Sequence, residues 1–170
     1  MQGRPEPNEF PPYYSKYIDQ APSGDVVDVL EVQLDETVSF LRGITEEKSL
    51  HRYAADKWSF RQVINHVSDV ERLFAYRVFW FARGFDSPLP SFDEKVGAAA
   101  AQADEIPWER HVEEFRTVRL ATLTLFRNLP AEAWMRSGIA SDNHFTVRAI
   151  AYILAGHTTH HMAILKERYL

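Results

Sequence analysis

Apolar residues recur every three or four positions over four long stretches, a spacing that places them on one face of a helix. The first stretch covers 25–42, where Asp25 can cap the start and Gly43 can follow the end. The second begins at Ser59, which has a glutamine three residues later in the capping-box pattern, and Gly84 ends it. The apolar stripe of this second helix consists of Phe60, Val63, Val67, Val70, Phe74, Val78 and Phe81.

The third helix is predicted to begin near Pro107 and to stop at Asn128, and the fourth to run over about 146–169. Between the second and third helices, residues 84–106 are too many for a plain loop joining antiparallel neighbours. A crossover that leaves these two helices parallel explains the length, and its alanine-rich part can be helical. Since no stretch alternates as a strand does, the pattern predicts an all-α four-helix bundle.

The first 22 residues are rich in proline and also contain three tyrosines. Proline fixes φ and removes backbone donors, so this N-terminal arm, residues 1–22, is predicted to be extended. It either lies against the rest of the chain through its tyrosines or forms a loose tail. With 170 residues, the chain is long enough for one domain, predicted over 1–170.

Composition narrows the range of partners and compartments. The net charge of −5 argues against nucleic acid, which requires a basic surface. The absence of cysteine excludes disulfides, zinc sites with cysteine ligands and a cysteine nucleophile. The start of the chain does not resemble a signal peptide, and charges interrupt every apolar stretch before membrane-spanning length. We therefore expect a cytoplasmic protein without a membrane partner.

Three histidines carry the main chemical signal. His157 and His161 continue the apolar stripe of the fourth helix, one turn apart, whereas His160 points away from them. His66 lies beside the stripe of the second helix. If the second and fourth helices are antiparallel, the three imidazoles meet inside the bundle, a common place for metal sites.

Three neutral imidazoles suit Zn²⁺, Ni²⁺, Fe²⁺ or Mn²⁺, and the spacing does not choose among them. Three protein ligands leave a coordination position for water or substrate, as in catalytic rather than structural sites. The alternative is that the histidines are ordinary hydrogen-bonded core residues, because pairs four residues apart also arise by chance.

Two further residues are weaker candidates for a catalytic role. Asp69 follows His66 by three residues and could orient an imidazole, although an ion pair with a neighbouring arginine is the simpler interpretation. Arg77 lies on the same line of the helix as His66 and could bind a substrate carboxylate, with a structural ion pair as the alternative. No serine or threonine is spaced for a nucleophilic triad. The aromatic residues expected at the mouth of a pocket are Tyr13, Tyr14 and Trp58.

Three segments together carry a family resemblance. They are KWSFRQVINHVSDVERLFAYRVFWFARG at 57–84, EEFRTVRLATLTLFRNLPAEAW at 113–134 and HFTVRAIAYILAGHTTHHMAILKERYL at 144–170. A Trp-Ser pair before a helical histidine, followed by a C-terminal Gly-His-x-x-x-His, is fairly specific in combination. The chain resembles the DinB-like superfamily, in particular its YfiT-like metal-dependent hydrolases, over nearly its whole length.

The resemblance implies an up-down-down-up bundle with a long crossover between helices two and three, and a homodimer. It also implies a metal held by one histidine of helix two and two of helix four, which correspond to His66, His157 and His161. Some relatives are S-transferases or isomerases that use low-molecular-weight thiols such as bacillithiol or mycothiol.

Two functions from different classes follow. In the first, the protein is an enzyme whose divalent metal activates a water or a low-molecular-weight thiol, as in a hydrolase or thiol S-transferase acting on small molecules. In the second, it is a non-enzymatic, stress-related bundle that binds a metal or small ligand. A third, purely structural alternative leaves the histidines simply buried.

Overall fold

The computed structural model describes residues 3–170, and four long helices dominate it. The helices are α1 (Ser15–Ile18), α2 (Val26–Arg42), α3 (Phe60–Ala82), α4 (Glu94–Ala101), α5 (Trp108–Arg127) and α6 (Val147–Arg168). The long ones, α2, α3, α5 and α6, correspond to the four predicted helices, and α4 is the helical piece expected in the crossover. The predicted all-α bundle is confirmed in its main features.

The helix ends follow from local chemistry. Asp25 accepts a hydrogen bond from the amide of Val27, and Ser59 and Gln62 form the reciprocal capping box at the start of α3. Gly84, just after α3, has a φ of +80°, which glycine adopts without strain. Gly43 follows the last residue of α2 as predicted, with a φ of −76° in ordinary right-handed geometry.

The bundle packs α2 and α3 each against both α5 and α6. Every residue of the predicted stripe of α3 is buried. Tyr169, which follows α6, donates its hydroxyl hydrogen to the carbonyl oxygen of Trp58, which precedes α3. The end of α6 therefore meets the start of α3, and these two helices run antiparallel. The complete up-down-down-up order stays a prediction.

A short antiparallel hairpin precedes α6, so the expectation that the chain contains no strands was wrong. Strand β1 (Ser137–Ala140) pairs with β2 (Asn143–Thr146). Its turn residues, Ser141 and Asp142, have φ values of 51° and 59°, as a tight two-residue hairpin turn requires. Four residues per strand are too few to show a clear alternation in sequence.

The N-terminal arm packs against α6 rather than forming a loose tail. Within residues 7–18 only Phe10 and Pro11 are extended, and on either side of them two short 3-10 helices, each with proline at its start, lead into α1. Tyr17 and Ile18 are buried, and the backbone of Tyr17 passes directly over Gly156. Proline's fixed φ suits the first turn of a helix as well as an extended chain, which explains the wrong expectation.

Across residues 3–170, no helix has the length and apolar character required to cross a membrane.

Candidate metal centre

Three imidazoles from two antiparallel helices converge inside the bundle. His66 lies in the second turn of α3, and His157 and His161 lie one turn apart on α6. The Nε2 atom of His157 is 3.2 Å from Nε2 of His66 and 3.1 Å from Nε2 of His161. Within residues 3–170, these three form the only group of potential metal ligands whose donor atoms all lie within 4.8 Å of one another.

The spacing of the nitrogens fits a shared ion. Two nitrogens at about 2.1 Å from one metal, separated by angles of about 90–109°, lie roughly 3.0–3.4 Å apart. The observed 3.1 and 3.2 Å fall within this range. Without an ion, the facing lone pairs of neutral imidazoles would repel one another unless a proton lay between them. The donor set therefore fits a divalent metal.

Burial keeps the three imidazoles uncharged at neutral pH. Burial lowers the pKa of His66 to about 4 and the pKa of His161 to about 3. Burial also lowers the pKa of His157 well below its ordinary value, and the neighbouring His161 lowers it further. A metal requires the neutral form of imidazole, so no proton has to be removed before binding at pH 7.

Aromatic rings hold the histidines in place from both sides. The ring of Trp58 lies 5.1 Å from that of His66, and the ring of Tyr17 lies 5.2 Å from that of His157. His160 does not belong to the group of three; its ring lies 5.4 Å from that of Tyr17 and 5.2 Å from that of His161. The N-terminal arm thus forms one wall of the site.

A carboxylate lies close to the cluster. Oε2 of Glu94, the first residue of α4, is 4.0 Å from Nε2 of His66, and the side chain is largely exposed. Sequence reasoning missed Glu94 because it lies in the crossover, where no periodic pattern indicates a direction. The sequence feature that could have indicated a helix beginning at Glu94 is Asp93, whose side chain caps α4 by accepting hydrogen bonds from two backbone amides.

A cavity of about 240 Å³ opens onto His66 and His157. Its walls come from the arm, α3, the crossover, the hairpin turn and α6. The lining residues are Tyr13, Tyr14, Tyr17, His66, Val70, Leu73, Phe74, Arg77, Phe92, Glu94, Ser141, Ile153 and His157. The tyrosines predicted at the pocket mouth are among them, while Trp58 instead packs on His66.

The two weaker candidates occupy different places. Asp69 accepts a hydrogen bond from Arg72 at 3.2 Å, as the simpler interpretation expected, and has no hydrogen bond to the three histidines in the described part of the chain. Burial raises the pKa of its carboxyl group. Arg77 is 2% exposed and lines the cavity, with Nη2 donating to Oγ of Ser141 at 2.8 Å.

A buried ion pair supports the α6 side of the site. Arg119 of α5 donates from Nε and Nη2 to the two carboxylate oxygens of Glu71 of α3, at 2.7 and 2.8 Å. Its Nη2 also donates to the hydroxyl of Thr158, which directly follows His157. Because Nη1 of Arg119 also donates to the carbonyl oxygen of Leu30 in α2, the pair links all four long helices beside the cluster. Sequence analysis did not identify it, since both residues read as surface charges.

The fold and the site together define a four-helix bundle with a buried cluster of three histidines beside a cavity. The sequence matches the model of the DinB superfamily over residues 30–165. The chain therefore belongs to the DinB superfamily.

Among solved structures, the chain resembles YfiT from Bacillus subtilis, described as a probable metal-dependent hydrolase with an unusual four-helix bundle topology. The TM-score is 0.70 and the identity 17%, with 98% of this chain and 91% of that chain covered. This likeness shows the shared fold. A comparison with curated proteins found no match.

Proposed function

We propose that the protein is a metal-dependent enzyme in which His66, His157 and His161 hold one divalent ion. The main support is that three imidazole nitrogens lie 3.1–3.2 Å apart along the cluster, and that His66 and His157 line a cavity large enough for a small molecule. The description of YfiT as a probable metal-dependent hydrolase supports the same class of chemistry. Zn²⁺, Ni²⁺, Fe²⁺ and Mn²⁺ all suit the donor set.

The ion would supply Lewis acidity, lowering the pKa of a water or thiol that reacts with the substrate. The residues of the chain have separate tasks. Glu94 is placed to accept the proton that this nucleophile loses, because its carboxylate lies 4.0 Å from His66 in the same cavity. Tyr17 and Trp58 fix the planes of two histidine rings and exclude water from their outer faces.

Hydrolysis and thiol transfer both fit this arrangement. An open coordination position with a nearby carboxylate suits activation of water, and the family resemblance favours a low-molecular-weight thiol such as bacillithiol. The proposed substrate is a small molecule, since the cavity holds about 240 Å³. A homodimer, implied by the resemblance, and the cytoplasmic location expected from composition complete the proposal.

Metal content tests the site directly. Wild-type protein should retain about one divalent ion per chain, and His161→Ala should lose it, because two imidazoles bind far more weakly than three. The matched control is His51→Ala, which changes an exposed histidine away from the cluster and should keep the ion. Equal metal content in wild type and His161→Ala, measured by elemental analysis, would contradict the site.

Turnover distinguishes the enzyme from a binding protein. Metal-loaded protein should consume either an ester, amide or lactone, or a cellular thiol together with an electrophile. If the loaded protein binds metal stoichiometrically but turns over no member of either panel, the non-enzymatic metal-binding or ligand-binding function replaces this proposal.

A further inference from the structure

Three arginines are almost completely buried in the described part of the chain, and they differ in their partners. Arg61 is paired with the carboxylate of Glu46, and Arg119 with that of Glu71. Arg77, 2% exposed, has no carboxylate within salt-bridge distance among residues 3–170. It is also the one of the three that lines the cavity beside the histidine cluster.

The protein groups around Arg77 leave its charge incompletely matched. Nη2 donates to Oγ of Ser141, and the rings of Phe74 and Phe145 lie 4.9 and 5.7 Å from the guanidinium carbon. Nε is buried and has no hydrogen-bond partner. Burial lowers the pKa of Arg77, while the hydroxyl of Tyr14 partly offsets this effect.

Burying an unpaired cation is unfavourable, since only well-placed partners offset the free energy of desolvating a charge. Neutral hydroxyls and aromatic faces offset part of this free energy. A negatively charged partner from outside the chain would offset the rest. The cavity supplies the route by which such a partner could arrive.

We propose that Arg77 binds the carboxylate of the substrate and so places its other end at the histidine cluster. The inference rests on the proposed function and specifies its substrate class. Arg77 lies eleven residues after His66, or about 16 Å along α3, and arginine side chains point back toward the helix start. The substrate is therefore an elongated carboxylic acid whose reacting group is remote from the acid group that Arg77 binds.

Part of the cavity wall is apolar. Val70 and Leu73 of α3 and Ile153 of α6 contribute to it, together with the rings of Phe74 and Phe92. Tyr14, Tyr17 and Glu94 supply polar groups to the same cavity. The apolar and aromatic share of the lining favours a short-chain or medium-chain acid, or an aryl-substituted one.

The chain contains its own example of the interaction. Arg119 holds the carboxylate of Glu71 through Nε and Nη2, at 2.7 and 2.8 Å, in a two-pronged arrangement. Arg77 carries the same planar set of donors at the cavity wall, with one Nη2 hydrogen bonded to Ser141 and Nε buried without a partner. A carboxylate brings one negative charge to the single positive charge of Arg77, whereas a phosphate monoester brings nearly two at pH 7.

Binding of three matched probes to the full chain tests the proposal. The probes are hexanoate, hexanamide and hexyl phosphate, titrated by calorimetry into zinc-loaded and chelator-treated protein. Wild type should bind hexanoate at least about tenfold more tightly than hexanamide in both forms, because the carboxylate matches the charge of the guanidinium and the neutral amide does not. Arg77→Gln should remove this preference. The control Arg72→Gln, on the exposed side of α3, should keep it.

The preference for hexanoate in chelator-treated protein tests the role of Arg77 separately from the proposed function, since it depends on neither metal content nor turnover. Equal preference in wild type and Arg77→Gln overturns the role of Arg77, as does a preference that vanishes without zinc. A tenfold preference for hexyl phosphate overturns the carboxylate class. If Arg77→Gln does not fold, the ¹⁵N–¹H signal of the Arg77 Nε in wild type must shift with hexanoate and not with hexanamide; no difference overturns the proposal.

Discussion

Replacement of Gly156 by alanine offers a sharp test of how the N-terminal arm covers the site. Gly156 directly precedes His157 in α6, and a Cβ added there would lie 1.7 Å from the carbonyl oxygen of Tyr17 and 2.4 Å from its carbonyl carbon. Ordinary contact begins at 3.4 Å, so the arm would have to move by about 1.7 Å. Backbone atoms, unlike a flexible side chain, cannot turn aside.

Two effects of opposite sign compete in this variant. Alanine in a helix interior gains about 1 kcal/mol over glycine. Against this, displacement of the arm exposes parts of Tyr17 and Ile18, each contributing about 1.5–3 kcal/mol when fully buried, and overpacking costs about 1–3 kcal/mol. The losses exceed the gain, so we expect Gly156→Ala to lower the free energy of unfolding by about 2 kcal/mol.

Urea unfolding measures the stability, and tryptic cleavage after Lys16 measures how often the arm detaches. Gly156→Ala should be less stable and cleaved faster than wild type. The matched control is Gly43→Ala, at the end of α2, where the added Cβ would lie 3.3 Å from the carbonyl oxygen of Phe40. If Gly156→Ala is as stable as wild type and its cleavage after Lys16 is no faster, the arm does not rest on α6 as described.

Three further changes test other parts of the structure. Arg119→Met should lower the free energy of unfolding in urea by about 3–5 kcal/mol, because Glu71 remains buried without its partner; a loss under about 1 kcal/mol would contradict the buried pair. Burial raises the pKa of Glu9, but hydrogen bonds, chiefly from Arg148, outweigh it and the pKa is lowered. The ionised carboxylate of Glu9 therefore stabilises the fold above the pKa that it has in the unfolded chain, and this stabilisation is lost as pH falls through the lower pKa of the folded state. Glu9→Gln should lower the free energy of unfolding by about 1–3 kcal/mol at pH 7 and by much less at pH 3. Glu94→Gln should lower kcat by roughly 10²-fold or more with unchanged metal content, whereas unchanged kcat would exclude it as proton acceptor.

The long helices and the meeting of the three histidines were predictable because both depend on helical periodicity. His157 and His161 interrupt an apolar stripe at a spacing of four, and Ser59 fixes where the second helix begins and hence the depth of His66. One assumption, that the two helices run antiparallel, was then enough to bring the imidazoles together. Metal binding itself stays a proposal.

Other parts of the site depend on features that periodicity does not encode. Glu94 reaches His66 only because a short helix in the crossover folds back over α3. Ser141 reaches Arg77 through a hairpin whose strands have four residues each. The pairing of Glu71 with Arg119 requires knowledge of which faces of α3 and α5 meet, since each residue alone is typical of a solvated helix surface.

The residues that line the cavity come from two kinds of segment, the packed long helices and the segments that connect or precede them. The three histidines and Arg77 lie on α3 and α6, whose positions are fixed by the core, whereas the arm, the crossover and the hairpin turn supply Tyr13, Phe92 and Ser141. Loops and termini tolerate sequence change more readily than packed helices. Altering Phe92 should therefore change which acids bind while leaving metal content intact, whereas altering Arg77 should weaken binding of every acid. This difference separates selection of the substrate's apolar part from recognition of its charge.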